Sequence, residues 1–181
     1  MTALIGQPAP AFTLPAAFPD EPPTDPISTV SLSEYTGRWL ALTWYPRDFT
    51  FVCPTEITAL SDRMDEFADM DCDILAASTD SVYCHRAWLR LPRSEQGIEG
   101  VQFPLLADTS HSVAREYGVL NEHDGAAVRA LFLIDPLGII QYAALHNGNV
   151  GRSVDETLRV LSALQSGGLC GSDWKPGQRT L

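Results

Sequence analysis

The residue whose setting most invites chemistry is Cys53, in Trp44-Tyr45-Pro46-Arg47-Asp48-Phe49-Thr50-Phe51-Val52-Cys53-Pro54-Thr55-Glu56, where an apolar run, a polar turn and a helix start meet. A thiolate is a good nucleophile and a thiol is a poor one, so the first question is what would hold a sulfur ionised there. A helix start offers unpaired backbone N–H groups and the positive end of the helix dipole, and both favour an anion. Ionisation alone does not make attack on an electrophile fast. Moving a thiol pKa from about 8.5 to about 6 raises the thiolate fraction at pH 7 roughly 30-fold, but a Brønsted slope of about 0.45 lowers nucleophilicity roughly 13-fold. The net gain is about twofold. Rate must therefore come from hydrogen bonds to the electrophile as charge builds on its leaving atom. The Thr50 hydroxyl, the Cys53 backbone N–H and the guanidinium of Arg129, at the head of an apolar run, are the groups suited to that work.

The elements that must position these groups follow from the hydropathy pattern. Residues 38–45 are apolar and aromatic, long enough for one buried strand. Ile57, Leu60, Met64 and Phe67 then recur at helical spacing with charged residues between them, which predicts a helix over about 54–69. Pro54 suits its first turn, where a missing N–H costs little. Residues 73–78 read as a second buried strand, and strand, helix, strand argues for a parallel pair with a right-handed crossover. A helix is expected over about 81–91, stopped by Pro92, then a polar loop over 94–100, a short strand over 103–108 and a helix over 110–117 closed by Gly118. The runs 128–134 and 139–145, joined by Asp135-Pro136-Leu137-Gly138, predict an antiparallel hairpin. Ser153 can cap a last helix over 153–165, with Glu156 three residues on and Val154, Leu158, Leu161 and Leu164 as its apolar stripe. Residues 1–30 hold seven of the thirteen prolines and are expected to be mostly extended or looped, with a short strand at 29–32. The order βαβ, helices, ββα predicts an α/β protein of thioredoxin-like fold, a central mixed sheet flanked by helices. Residues 1–165 form that domain, and the glycine-rich stretch 166–181 is expected to be a mobile C-terminal tail carrying Cys170.

At 181 residues the chain suits one domain with a full core. A net charge of −11 argues against nucleic acid and anionic membrane as partners, because those surfaces would repel it. No apolar run approaches the roughly 18 residues that span a bilayer, and the start has neither a basic region nor a sustained apolar one, so a cytoplasmic location is expected. The cysteines at 53, 72, 84 and 170 lack the spacing of a zinc site or a Cys-x-x-Cys pair. Cys72 reads as a free thiol without a catalytic part. Cys84 and the adjacent His85 read as packing or surface residues, and Trp88 as packing under the active-site loop. His111, His123 and His146 fall in or near loops without identifiable partners.

Pro46 through Thr50 and Cys53 to Glu56 resembles the peroxidatic signature of the peroxiredoxins, Pro-x-x-x-Thr-x-x-Cys. The fuller Asp48-Phe49-Thr50-Phe51-Val52-Cys53-Pro54-Thr55-Glu56 is similar to the typical 2-Cys subfamily that includes the peroxidase component of alkyl hydroperoxide reductase. The likeness continues through Asp80-Ser81 with His85 and Trp88, Arg129 before its apolar strand, residues 150–159, and Cys170 followed by Trp174-Lys175-Pro176-Gly177. The resemblance implies a thiol peroxidase acting on hydrogen peroxide and organic hydroperoxides. In it Cys53 is the peroxidatic cysteine, Thr50 and Arg129 bind and polarise the peroxide, Pro46 shields the thiolate, and Glu56 and Arg152 orient Arg129. It further implies that Cys170 resolves the Cys53 sulfenic acid as an intersubunit disulfide, in a homodimer that assembles into a ring of dimers, commonly a decamer. A thioredoxin-like protein or a flavoprotein disulfide reductase would recycle it, with no metal or organic cofactor. Redox-regulated holdase and peroxide-sensor roles on the same fold are the alternatives, and a disulfide reductase is disfavoured by the lack of a second cysteine near Cys53.

The chain departs from the subfamily pattern in three places. Gly171 follows Cys170 where proline is usual, and the segment before Cys170 is a few residues short. The Gly-Gly-Leu-Gly loop of oxidation-sensitive members is replaced by Gln96-Gly97-Ile98-Glu99, and the sequence given stops at Leu181 without a Tyr-Phe tail helix. The last two departures predict an active-site helix that unwinds freely, and hence resistance of Cys53 to overoxidation.

Overall fold

The computed structural model describes residues 4–22 and 24–181, so the parts of the N-terminal expectation that rest on 1–3 and Pro23 lie outside the described residues. Its strands are β1 (Thr13–Ala17), β2 (Ser28–Ser31), β3 (Trp39–Trp44), β4 (Cys72–Ser78), β5 (Leu105–Ala107), β6 (Leu120–Asn121), β7 (Ala126–Ala127), β8 (Arg129–Ile134) and β9 (Ile140–His146). Seven of them form one mixed sheet in the order β2-β1-β5-β4-β3-β8-β9, and β6 with β7 makes a separate ribbon. β3 runs parallel to β4 and antiparallel to β8, and all three lie inside the sheet, between β5 and β9.

Alternation along the central strands sorts side chains to two cores. Ala41 and Tyr45 with Leu131 and Leu133 face one layer, while Leu40, Leu42 and Trp44 with Ala130, Phe132 and Ile134 face the other. Both faces are therefore apolar, as strands covered on both sides require. On the first face pack α1 (Cys53–Ser61), α2 (Met64–Ala68), α3 (Val82–Trp88) and α5 (Val154–Gln165), through Ile57, Leu60, Phe67, Trp88, Leu158 and Leu161. On the second face α4 (Ser112–Glu116) contributes Val113 and Ala114, joined by Tyr117.

The thioredoxin-like plan is present, with differences at element ends. The helix expected over about 54–69 begins one residue earlier, at Cys53, and breaks in two where Arg63 leaves helical geometry at φ −118, ψ 20. The hairpin of β8 and β9 forms around Gly138 at φ 79, with the Asp135 carboxylate accepting from the Leu137 and Ile139 N–H groups. Ser153 caps α5 by accepting from the Glu156 N–H at 3.2 Å. The proline-rich N-terminal region contains one more strand than expected, β1, which pairs with both β2 and β5 and tolerates Pro15 within it. The stretch after α5 is a succession of turns in which Trp174 is buried, its carbonyl accepting from Arg159.

Candidate active site

Cys53 is the first residue of α1, entered from the loop that follows β3, and its side chain is fully buried. Its sulfur accepts a hydrogen bond from Arg129 Nη1 at 3.3 Å. Arg129 opens β8, antiparallel to β3, so the guanidinium comes from the strand beside the one that leads to the cysteine. The same Nη1 donates to Glu56 Oε2 at 2.7 Å, and Nε donates to the Gly148 carbonyl at 2.9 Å. Two acceptors, Glu56 and the Gly148 carbonyl, thus hold one planar cation against one sulfur.

Glu56 lies one turn along α1 from Cys53 and joins two arginines. Arg152 reaches Oε1 through Nε at 2.7 Å and Oε2 through Nη2 at 3.0 Å, while its own backbone N–H donates to Oε1 at 2.8 Å. Its remaining Nη1 donates to the carbonyls of Trp44, at 2.9 Å, and Ala130, which are register partners at the ends of β3 and β8. Arg152 therefore ties the carboxylate to the two central strands. Burial alone would raise the Glu56 carboxyl, but the hydrogen bonds and charge of Arg152 and the charge of Arg129 hold it below the ordinary carboxylate range. Burial likewise works against the Arg129 charge, and contact with Cys53 and Glu56 reverses that effect so that the guanidinium is held more firmly protonated.

The expected residues divide by place. Cys53, Arg129, Glu56 and Arg152 are brought into one contacting cluster. Pro46 and Thr50 lie on the loop between β3 and α1, both part-buried, and the Thr50 hydroxyl donates to the Arg47 carbonyl at 3.0 Å. Cys170 stands apart from the cluster: its sulfur lies 3.4 Å from Ser166 Oγ and donates weakly to the Ala163 carbonyl at the end of α5. All four cysteines are free thiols. Burial pushes the Cys72 thiol up to about 12, which leaves it inert, and Cys84 is exposed near the start of α3. Among the described residues no group of three or more His, Cys, Asp or Glu could hold a metal ion, and no helix is long and apolar enough to cross a membrane.

Sequence reasoning missed Tyr45, Asp48 and His85, which form a buried polar cluster under the loop, with His85 fully buried inside the protein. The signal was a polar pair, Asp48 and His85, separated by thirty-seven positions, and nothing short of the fold joins them.

A sequence profile of the AhpC/TSA family matches residues 5–143. The Bacillus subtilis (strain 168) protein YkuU, which carries a peroxiredoxin name, is 51% identical over 180 residues, covering 98% of each chain. A thioredoxin peroxidase of Echinococcus granulosus is 48% identical over 185 residues, covering all of this chain and 93% of that one. Among solved structures, reduced 2-Cys peroxiredoxin of Plasmodium vivax superposes with a TM-score of 0.92 at 37% identity, over 98% of this chain and 92% of the other.

Proposed function

Because this chain belongs to the AhpC/TSA family of peroxiredoxins, oxidoreductases that reduce peroxides with a thiol, we propose that Cys53 is its peroxide-attacking sulfur and Cys170 its resolving thiol. The observation that carries the first assignment is a buried sulfur at a helix start with a guanidinium nitrogen 3.3 Å away. The Cys53 thiolate attacks the terminal oxygen of a hydroperoxide. A sulfur–oxygen bond forms as the O–O bond breaks, and the O–O electron pair leaves on the second oxygen. That oxygen takes a proton and departs as water or an alcohol, and the sulfur is left as a sulfenic acid. Charge grows on the leaving oxygen, so Arg129, fixed by Glu56 and the Gly148 carbonyl, stabilises the transition state without reorganising. Thr50 and the Cys53 N–H supply further hydrogen bonds once a peroxide displaces the Thr50 contact to Arg47, and Pro46 keeps water from the sulfur.

In the second half-reaction the Cys170 thiolate of a partner subunit attacks the sulfenic sulfur, hydroxide leaves as water, and an intersubunit disulfide forms. A dithiol reductant, from a thioredoxin-like protein or a flavoprotein, restores both thiols. The working unit is then a homodimer, within a ring of dimers, acting in the cytoplasm. Hydrogen peroxide consumption with a dithiol reductant tests the reading: the wild-type protein turns over and Cys53→Ser does not. Retained turnover in Cys53→Ser would remove the assignment.

A further inference from the structure

Of the two acceptors that hold Arg129 against Cys53, only Glu56 is a buried side chain. The other is the Gly148 carbonyl, which accepts from Arg129 Nε at 2.9 Å and lies in an exposed stretch, residues 147–151, between β9 and α5. Burial does not hold that stretch in place. Val150, its one apolar side chain, is exposed, and a Cβ added at Gly148 would meet nothing within 4 Å. Glycine also has the most backbone freedom to lose. A carbonyl on such a residue keeps one direction only if hydrogen bonds close the turn that carries it.

Those bonds begin at the residue opposite Arg129. His146 ends β9 and is the register partner of Arg129. Directly opposed residues of an antiparallel pair project from one face, here the face on which Leu131 and Tyr142 pack with α1 and α5. The sequence offers His146 no partner, and the fold supplies one: Nδ1 lies 3.3 Å from the Val150 carbonyl. A carbonyl can only accept, so Nδ1 carries the hydrogen and His146 donates. Inside the span closed by this bond, the Val150 N–H donates to the Asn147 carbonyl at 3.0 Å, and Asn147 Oδ1 accepts from the Asn149 N–H at 3.3 Å. Gly148 sits within both of these rings. The chain then passes through Gly151 to Arg152, whose backbone N–H donates to Glu56 Oε1 at 2.8 Å. One short span therefore serves both guanidinium groups, its middle holding Arg129 and its end carrying Arg152.

Resting on the reading of Cys53 as the peroxide-attacking thiol, we propose that His146 and Asn147 are positioning residues for Arg129: they close the 146–150 turn so that the Gly148 carbonyl meets Arg129 Nε, which sets the angle at which Nη1 meets the Cys53 sulfur. A guanidinium held through Nη1 alone can pivot about that contact, and a second acceptor at Nε stops the pivot. The two side chains act on the sulfur through Arg129.

The test uses the reduced protein and reads two quantities. Hydrogen exchange over 147–151, measured without peroxide, should be at least about fivefold faster in His146→Ala while peptides from β8 and α5 stay protected. The second-order rate constant with hydrogen peroxide should fall about fivefold in the same variant, because the cation is no longer fixed. His146→Asn, whose amide can donate to the same carbonyl, should recover most of both. In an Arg129→Lys background His146→Ala should cost no further rate, since the group it positions is gone. Unchanged exchange over 147–151 in folded His146→Ala overturns the proposal, and so does an equal loss of rate in the Arg129→Lys background. Should His146→Ala loosen β8 and β9 as well, Asn147→Ala, which opens the turn without altering a strand, is judged by the same two criteria. The two possible failures are distinct. A Cys53→Ser protein that still consumes peroxide removes the Cys53 assignment, whereas exchange is read without peroxide and bears on the turn alone.

Discussion

The role proposed for Arg129 rests on geometry as much as on charge. One Nη1 meets both the Cys53 sulfur and Glu56, while Nε is committed to the Gly148 carbonyl, an arrangement that needs a planar fork of donors. Lysine keeps the charge but offers a single point from which those contacts cannot all be made. We expect Arg129→Lys to fold and to lose about 100-fold in the second-order rate constant with hydrogen peroxide, measured by stopped-flow fluorescence; a loss below threefold would mean that charge alone suffices. Glu56 makes a different prediction, because its role is to compensate two buried cations. Its carboxyl is held below the ordinary range, so the stability it provides is complete above that range and is lost as pH falls through the folded value. Glu56→Gln should cost about 3 kcal/mol near neutrality in urea melts. That difference should hold as pH falls to the ordinary carboxylate range of about 4 and shrink only below it; a gap that is already closing at pH 6 would count against the assignment.

At the scale of elements, the turn after α3 explains why α3 stands where it does. Gly97 packs so closely on the turn after that helix that a Cβ there would lie 1.9 Å from the Leu91 carbonyl oxygen, although its φ is not positive. Around it the Trp88 indole donates to the Gln96 carbonyl at 3.0 Å, and the Gly97 N–H donates to the Pro92 carbonyl at 3.0 Å. Gly97→Ala must push the loop away from Leu91, and should cost about 2 kcal/mol and lower the melting temperature by several degrees. Wild-type stability in that variant would show that the loop yields freely. The 96–99 stretch was readable in sequence as a departure from its subfamily, but the close approach was not, since it depends on a carbonyl six positions away. The same distinction runs through the fold. The β8–β9 hairpin and the capped α5 were legible because their signals are local: a turn with Gly138, and Ser153 before an apolar stripe. β1 was not, because Pro15 argues against a strand and only pairing with β2 and β5 overrides it. In the site, Cys53 and Arg129 were legible by type and place. The Arg152 contacts to the Trp44 and Ala130 carbonyls were not, because backbone acceptors leave no mark in sequence.

For the whole molecule, the proposed disulfide poses the question of how two thiols held in different places would come to bond. Cys53 is sealed in the first turn of α1, and Cys170 rests against Ser166 and Ala163 beyond the end of α5, in a tail anchored by buried Trp174 and by Arg159. A disulfide between them therefore requires movement on both sides: the α1 turn must unwind and the tail must leave α5. Apart from Trp174, the tail's large apolar side chains, Leu169 and Leu181, are exposed. Two further thiols could compete. Cys72 is buried and protonated at all working pH values, which leaves exposed Cys84 as the alternative. One equivalent of hydrogen peroxide added to the reduced protein should give a band of twice the monomer mass on a non-reducing gel. That band should vanish in Cys53→Ser and in Cys170→Ser, and persist in Cys84→Ser. A Cys53-dependent dimer in Cys170→Ser that is lost on adding Cys84→Ser would move the resolving role to α3, and with it the surface through which subunits exchange electrons.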